Sequence, residues 1–294
     1  MAAARSQKVG YLFITPAVLH LLVFAILPIG YALYLSLFRW NLLKETKPFV
    51  GLGNYVDSVQ DPHFWNAMWN SARYTMTSVP VGMLVALAVA ILVAQKLRGV
   101  TIFRTLYYIP AISSGVAISM LWIYVYLPTN GLINVASSMF GIPDIDFLNK
   151  EEWAMWALVF MSLWTGLGPK MIIFVAGLLG IPETLYEAAE LDGAGGWQRF
   201  WRITIPMLSP TTLFVLVTST IGAFQLFTPI YMMTKGGPND TTNVIGYHIY
   251  REAWQKFHVG SAAAQSFLLL IIIAGVAYAQ YRMMKSQLEG YAAG

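Results

Sequence analysis

Cysteine is absent from the 294 residues. Its absence excludes a disulfide framework, thiol catalysis and any cysteine metal site. Charge is nearly as scarce, at 11% of residues, where a soluble domain carries about 25%. Most of the chain must therefore sit in lipid. No Gly-x-x-x-x-Gly-Lys-Ser/Thr run occurs, so the chain has no phosphate loop and cannot be its own ATPase. A nucleophile elbow, a His-Glu-x-x-His pair and a membrane-embedded carboxylate pair are equally missing, which argues against an enzyme. The acids gather in loops and no internal repeat is evident, which disfavours an ion-coupled secondary transporter. The net charge of +4 is spread through short loops, so no basic patch offers itself to nucleic acid. His248 and His258 lack supporting carboxylates or cysteines, so no metal site is expected.

Apolar sequence is what remains, at 57% of residues. Six blocks, about 11–38, 71–94, 103–127, 153–180, 210–233 and 262–281, are each long enough to cross a bilayer. They predict an all-α, polytopic membrane protein with about six transmembrane helices. The first block is too long for the core of a signal peptide and lacks a persuasive cleavage site, so it reads as a retained span. Arg5 and Lys8 before it, Lys96, Arg98 and Arg104 after the second block, and Arg282 and Lys285 after the sixth put both termini in the cytoplasm. His20, inside the first block, has no second ligand type at helical spacing and reads as a packing residue. Segments 39–70 and 128–152 then lie outside, where Asp61-Pro62 opens a short helix bearing Phe64, Trp65, Met68 and Trp69.

The longest polar run on the cytoplasmic side is 187–206, which reads as two short helices joined at a glycine hinge. Pro182 suits the first helical turn, Glu183 favours its positive end, and Gly193 can end the helix in a left-handed conformation. Glu183, Glu187 and Glu190 share one stripe, while Ala188 and Ala189 keep an adjacent face thin. Such a helix suits a partner's groove. An amphipathic helix lying on lipid would favour a basic polar face, and this one is acidic.

The run resembles the EAA loop of the membrane subunits of ATP-binding-cassette importers, the family served by an external solute-binding protein. Glu187-Ala188-Ala189, Asp192-Gly193-Ala194 and the Ile-x-x-Pro element ending at Pro206 stand in the family's order and spacing. Phe49-Val50-Gly51-Leu52-Gly53-Asn54-Tyr55, Thr234-Lys235-Gly236-Gly237-Pro238, Tyr250-Arg251-Glu252-Ala253 and Gly260-Ser261-Ala262-Ala263 resemble the carbohydrate-uptake branch, with its maltose- and glycerol-phosphate-like members. The resemblance implies a permease subunit of a bacterial or archaeal inner membrane. It implies a cytoplasmic coupling helix at Glu187, Ala188, Ala189, Asp192, Gly193, Ala194 and Pro206. The expected partners are a second, similar permease subunit, two ATPase subunits and an extracytoplasmic binding protein, with a sugar or polyol as the solute. A glycerol-phosphate or other anionic solute is the alternative. No cofactor is expected on this chain, since ATP and magnesium would bind the ATPase subunits.

The expected organisation is an N-terminal span and external loop at 1–70, a five-helix core at 71–285 with its coupling loop at 181–207, and a cytoplasmic tail at 286–294. Within the fourth span Ser162, Thr165, Gly166 and Pro169 share one helical face. In the fifth, Ser219, Gly222, Ala223 and Leu226 do the same, with Gln225 beside them. Two such faces flanking the coupling loop suit a solute path, and small residues alone would equally suit close helix packing. Lys170 is the one charge that stands well inside a span. It has three readings: contact with an anionic part of the solute, snorkelling, or pairing with another subunit.

Overall fold

The computed structural model describes the backbone of residues 2–95 and 99–292, and the side chains of residues 12–95 and 99–285. Arg5, Lys8, Lys96, Arg98 and the 286–294 tail lie outside the described side chains. Among the described residues the chain is helical and holds no strand. Four helices are long and apolar enough to cross a bilayer, or six spans if two bent helix pairs each count as one. That is the predicted all-α, polytopic architecture. Two compact units result, 1–62 with 249–270, and 63–248 with 271–294.

In the first unit α1 (Ala2–Leu21) and α2 (Leu27–Ser36) are joined by a π turn at Leu22–Ile26. Apolar side chains stay exposed from Leu12 to Tyr34, as they do on a helix surrounded by lipid. His20 packs its ring on Phe24, 4.9 Å between centroids. The short helix α3 (Gly53–Gln60) explains the Asn54-Tyr55 phrase. Asn54 donates from Nδ2 to the carbonyls of Ser36 (2.7 Å) and Phe38 (2.9 Å), and the Tyr55 hydroxyl meets Ser36 Oγ at 2.7 Å. These bonds satisfy carbonyls that the end of α2 leaves without helical donors. Gly260 is glycine for a steric reason, since a Cβ there would lie 2.0 Å from the Phe38 carbonyl oxygen.

The second unit opens with α4 (Pro62–Val93). Here the expectation of a separate short helix followed by a span from 71 is corrected. One 32-residue helix runs throughout, because Pro62 occupies the first turn and no glycine or proline interrupts the chain until Pro80. The third span is broken into α5 (Val100–Ile112) and α6 (Gly115–Val125), which meet at 99°. Pro110 withholds a helical donor just before Ser113 turns to an extended conformation. Next come α7 (Leu132–Ser138), α8 (Glu151–Leu179), α9 (Glu183–Leu191), α10 (Gly196–Arg199), α11 (Ile205–Met207) and α12 (Ser209–Phe224). The fifth span was expected to reach 233 but α12 stops at Phe224, and a π turn at Ile230–Thr234 follows. The chain is non-helical at 225–227 and turns helical again just before Pro229, which has no amide hydrogen to give the Gln225 carbonyl. The last helices are α13 (Ile245–Tyr250) and α14 (Val259–Ala292).

Around α8 the other helices of this unit pack through glycine. A Cβ on Gly168 would stand 2.4 Å from the carbonyl oxygen of Tyr107 in α5, and one on Gly177 would stand 2.6 Å from Thr211 Oγ1 in α12. Backbones approach this closely in lipid only at small residues. Ala86 and Ala90 of α4, Met171 and Phe174 of α8 and Val215 of α12 fill one core between them. Trp122 and Tyr126 of α6 pack on Ala157 and Met161 of α8.

Candidate coupling surface and solute path

The candidate coupling segment is held by its own backbone. Gly193 stands at φ +77°, and the Ala194 amide donates to the Ala189 carbonyl at 2.8 Å while the Gly193 amide donates to that of Glu190 at 3.0 Å. This paired closure needs a left-handed residue, which is why glycine stands at the hinge. Ala189 and Ala194 are the two ends of the wider of these closures, where small side chains let the chain fold back on the helix. Beyond the hinge, Gln198 Oε1 accepts from the Gly195 amide at 3.1 Å and opens α10. Arg199 pairs with Glu190 at 3.0 Å, and the Tyr186 hydroxyl meets Thr204 Oγ1 at 2.9 Å. Pro206 begins α11 after a π turn at Phe200–Thr204.

None of the residues of α9 is buried. Glu187, Ala188, Asp192 and Gly193 are exposed, and Ala189, Ala194 and Pro206 half-buried. Leu191 is 89% exposed and Trp197 74% exposed, with Trp201 beside it. An ordered two-helix segment that buries so little of its own apolar surface has the character of an interaction site.

The face predicted on α8 meets α4. Tyr74, buried on α4, hydrogen-bonds Ser162 and Ser78. One and two turns on, Gly82 faces Leu163 and the ammonium of Lys170. Tyr74, Ser78 and Gly82 carry the same four-residue spacing as the α8 stripe, a sequence signal that could have been paired with it. Ser162 and Thr165 also donate to their own helix, at 2.8 Å and 3.3 Å. On α12 the matching residues are more open: Gly222 and Gln225 are exposed and Ser219 half-buried. Their neighbours Ala223 and Leu226 pack against Met155, Val159 and Leu163 of α8, so the two faces stand at one level of the unit. Among the described residues no hydrogen bond joins the α8 set to the α12 set.

Two helix breaks, between α5 and α6 and after α12, come together in the fold. Ser113, Ser114 and Gly115, between α5 and α6, are exposed, and a Cβ on Gly115 would be 3.6 Å from Thr228 Cγ2. Non-helical backbone within a membrane is tolerated where protein covers it or water fills a cavity. Breaks at Ser113 and Gln225 therefore mark a solvated or subunit-covered surface, which periodicity alone did not reveal.

The 234–244 loop carrying Gly236-Gly237-Pro238 is pinned to the start of α4. Asn70 Nδ2 donates to the carbonyls of Asp240 (2.8 Å) and Asn243 (3.2 Å), and the Ile245 amide donates to Ser71 Oγ at 2.8 Å. Asn239 also hydrogen-bonds Glu151, at the start of α8. Among the described residues no cluster of His, Asp or Glu could hold a metal ion.

Residues 78–285 match the family described as the binding-protein-dependent transport system inner membrane component. Among curated proteins the chain is 35% identical to the probable ABC transporter permease protein YesP of Bacillus subtilis (strain 168), over 92% of this chain and 88% of that one. It is 33% identical to the sn-glycerol-3-phosphate transport system permease protein UgpA of Escherichia coli (strain UTI89 / UPEC), over 97% of each. Its fold is shared with a chain of a bacterial ABC transporter involved in the import of the acidic polysaccharide alginate, at a TM-score of 0.83 and 23% identity, over 97% of this chain and 98% of that one. A second structure of a bacterial alginate ABC transporter, in complex with an alginate pentasaccharide-bound periplasmic protein, matches at a TM-score of 0.81 and 22% identity. The chain belongs to the inner membrane components of binding-protein-dependent transport systems, the permease subunits of ABC importers.

Proposed function

We propose that this chain forms half of the solute path of an ATP-driven importer and carries a sugar or related polyol delivered by an extracytoplasmic binding protein. A second, similar permease subunit forms the other half. Two ATPase subunits, which bind ATP and magnesium, receive α9 and α10 in their clefts, and both termini lie in the cytoplasm. The observation that carries the reading is the coupling segment itself: a hinge fixed by Gly193, Ala189 and Ala194 presents Glu187, Leu191 and Trp197 to a partner. Closing of the ATPase pair would push α9, and α8, ending at Leu179, transmits that displacement into the membrane. Thr165, Lys170, Ser219, Gly222 and Gln225 line the path, while Ser162 and Gly166 set the approach of α4. The names of the relatives, one an sn-glycerol-3-phosphate transport permease, and the alginate importers of similar fold support a carbohydrate-type or polyol solute.

The test is affinity capture of the tagged chain from detergent-solubilised native membranes, with mass spectrometry of the co-purifying proteins. The importer reading expects an ATPase subunit bearing a phosphate loop and a second permease with an EAA loop. Recovery of the chain alone as a stable homo-oligomer would refute it.

A further inference from the structure

We infer that the solute carries a carboxylate or phosphate group, and that Lys170 reads it from a niche between Gly82 and Gly166. This deepens the importer reading and rests on it. The ammonium of Lys170 lies where a Cβ on Gly82 would be 2.9 Å away and a Cβ on Gly166 3.3 Å away. Two glycines on two different spans thus make the room it occupies. Among the described residues Lys170 has no hydrogen bond and no ion pair, and its side chain is only half-buried. Between Glu152 and Leu179 α8 holds no acid, and α4, α5, α6 and α12 hold none at all. A charge at such depth costs several kcal/mol unless it meets water or a counter-charge. Among the described residues no acid is placed to meet it, so the charge is met by water or by a group from outside this chain.

The depth of the ammonium in the span bears on its partner. Beyond Lys170, α8 runs nine more residues to Leu179, roughly 14 Å at 1.5 Å per residue. A snorkelling lysine would extend toward that near end and its lipid headgroups. The side chain leans toward the N-terminus of its own helix, as helical side chains do, so the ammonium stands beside Gly166, one turn deeper in the span. It is placed for something that passes through the middle of the membrane. An anionic sugar is that kind of ligand.

The experiment uses the importer reassembled in vesicles with its second permease, ATPase and binding protein. Uptake is compared within three pairs: glucose and glucuronate, galactose and galacturonate, glycerol and glycerol 3-phosphate. The acidic member of a pair should be taken up and the neutral one refused. Lys170→Met should lower that uptake roughly ten- to a hundredfold, as expected for one lost charge-assisted hydrogen bond, and Lys170→Arg should retain most of it. The loss should be equal in vesicles of phosphatidylcholine alone and with phosphatidylglycerol added. Uptake of neutral members only, or a Lys170→Met importer within twofold of the parent, overturns the inference and leaves the importer reading intact. A defect that vanishes without anionic lipid assigns the counter-charge to a headgroup, and loss of the second permease from purified Lys170→Met assigns it to that subunit. Either result overturns the inference. Absence of any binding-protein-dependent uptake by the parent would overturn both readings.

Discussion

Ala194 and Ala189 are joined by a 2.8 Å backbone hydrogen bond that closes over Gly193, the left-handed residue between the two short helices of the coupling segment. No atom lies within 4 Å of a Cβ built on Gly193. The cost of replacing it is therefore one of backbone conformation, about 1–2 kcal/mol for a residue with a side chain. Gly193→Trp should leave the importer assembled and ATP hydrolysis running, with solute uptake no longer proportional to it. Parallel assays of phosphate release and uptake in vesicles read this directly. Normal uptake by the variant would remove the coupling assignment.

Glu190 and Arg199 pair across the same hinge, with Glu190 72% exposed. An exposed pair of this kind contributes about 0.2–1 kcal/mol and is screened by salt. Arg199→Ala should lower the thermal midpoint of the purified protein slightly at low salt and not at all near 1 M salt. A large loss at both would mean that Arg199 has a further partner.

Gly168 and Gly222 make a matched test of helix approach. A Cβ on Gly168 would strike the backbone of α5, whereas one on Gly222 meets nothing within 4 Å. Gly168→Ala should cost about 1–3 kcal/mol, the usual range for overpacking, and reduce the yield of monodisperse protein in detergent. Gly222→Ala should match the parent in yield. Equal yields for both would contradict the contact of α5 with α8.

The absence of native cysteine allows site-directed labelling on an unmodified background. Gln225→Cys and Gly222→Cys should react quickly with a membrane-impermeant maleimide, because both positions are exposed. Ser162→Cys should react slowly, since that position faces Tyr74. If Ser162→Cys were labelled as fast as Gln225→Cys, the packing of α8 on α4 would be wrong.

Asn70 is buried and donates to two loop carbonyls, those of Asp240 and Asn243. Asn70→Ala removes the donor to the Asn243 carbonyl, at about 1–3 kcal/mol for a buried polar group left unsatisfied, while the Asp240 carbonyl keeps the Asn243 amide and Asn66 Nδ2. Faster amide exchange confined to 236–245 is the expected readout. Unchanged exchange there would show that the loop is held by its other bonds.

Segments governed by local chemistry were legible in the sequence. Hydrophobic length gave the spans, because a bilayer demands about 20 apolar residues per helix whatever lies beside them. The two short helices around Gly193 were legible for a similar reason: a proline that suits a helix start, a glycine that suits a left-handed end and carboxylates at helical spacing act within one or two turns. The break between α5 and α6 and the early end of α12 at Phe224 are not set by hydrophobic length.

Tertiary structure decided which small and polar residues face which neighbour. Ser162 could equally have lined a path or met another helix, and only the placement of Tyr74 on α4 gives it to the helix. Gly168 carries no mark in the sequence that separates it from Gly166, yet one admits the backbone of α5 and the other admits an ammonium. The pairing of Gly82 with Lys170, far apart in the chain, follows from how α4 rotates against α8. Periodicity fixes the faces of a helix; the partner of each face is set by packing among helices, a non-local choice that a single sequence does not encode in readable form.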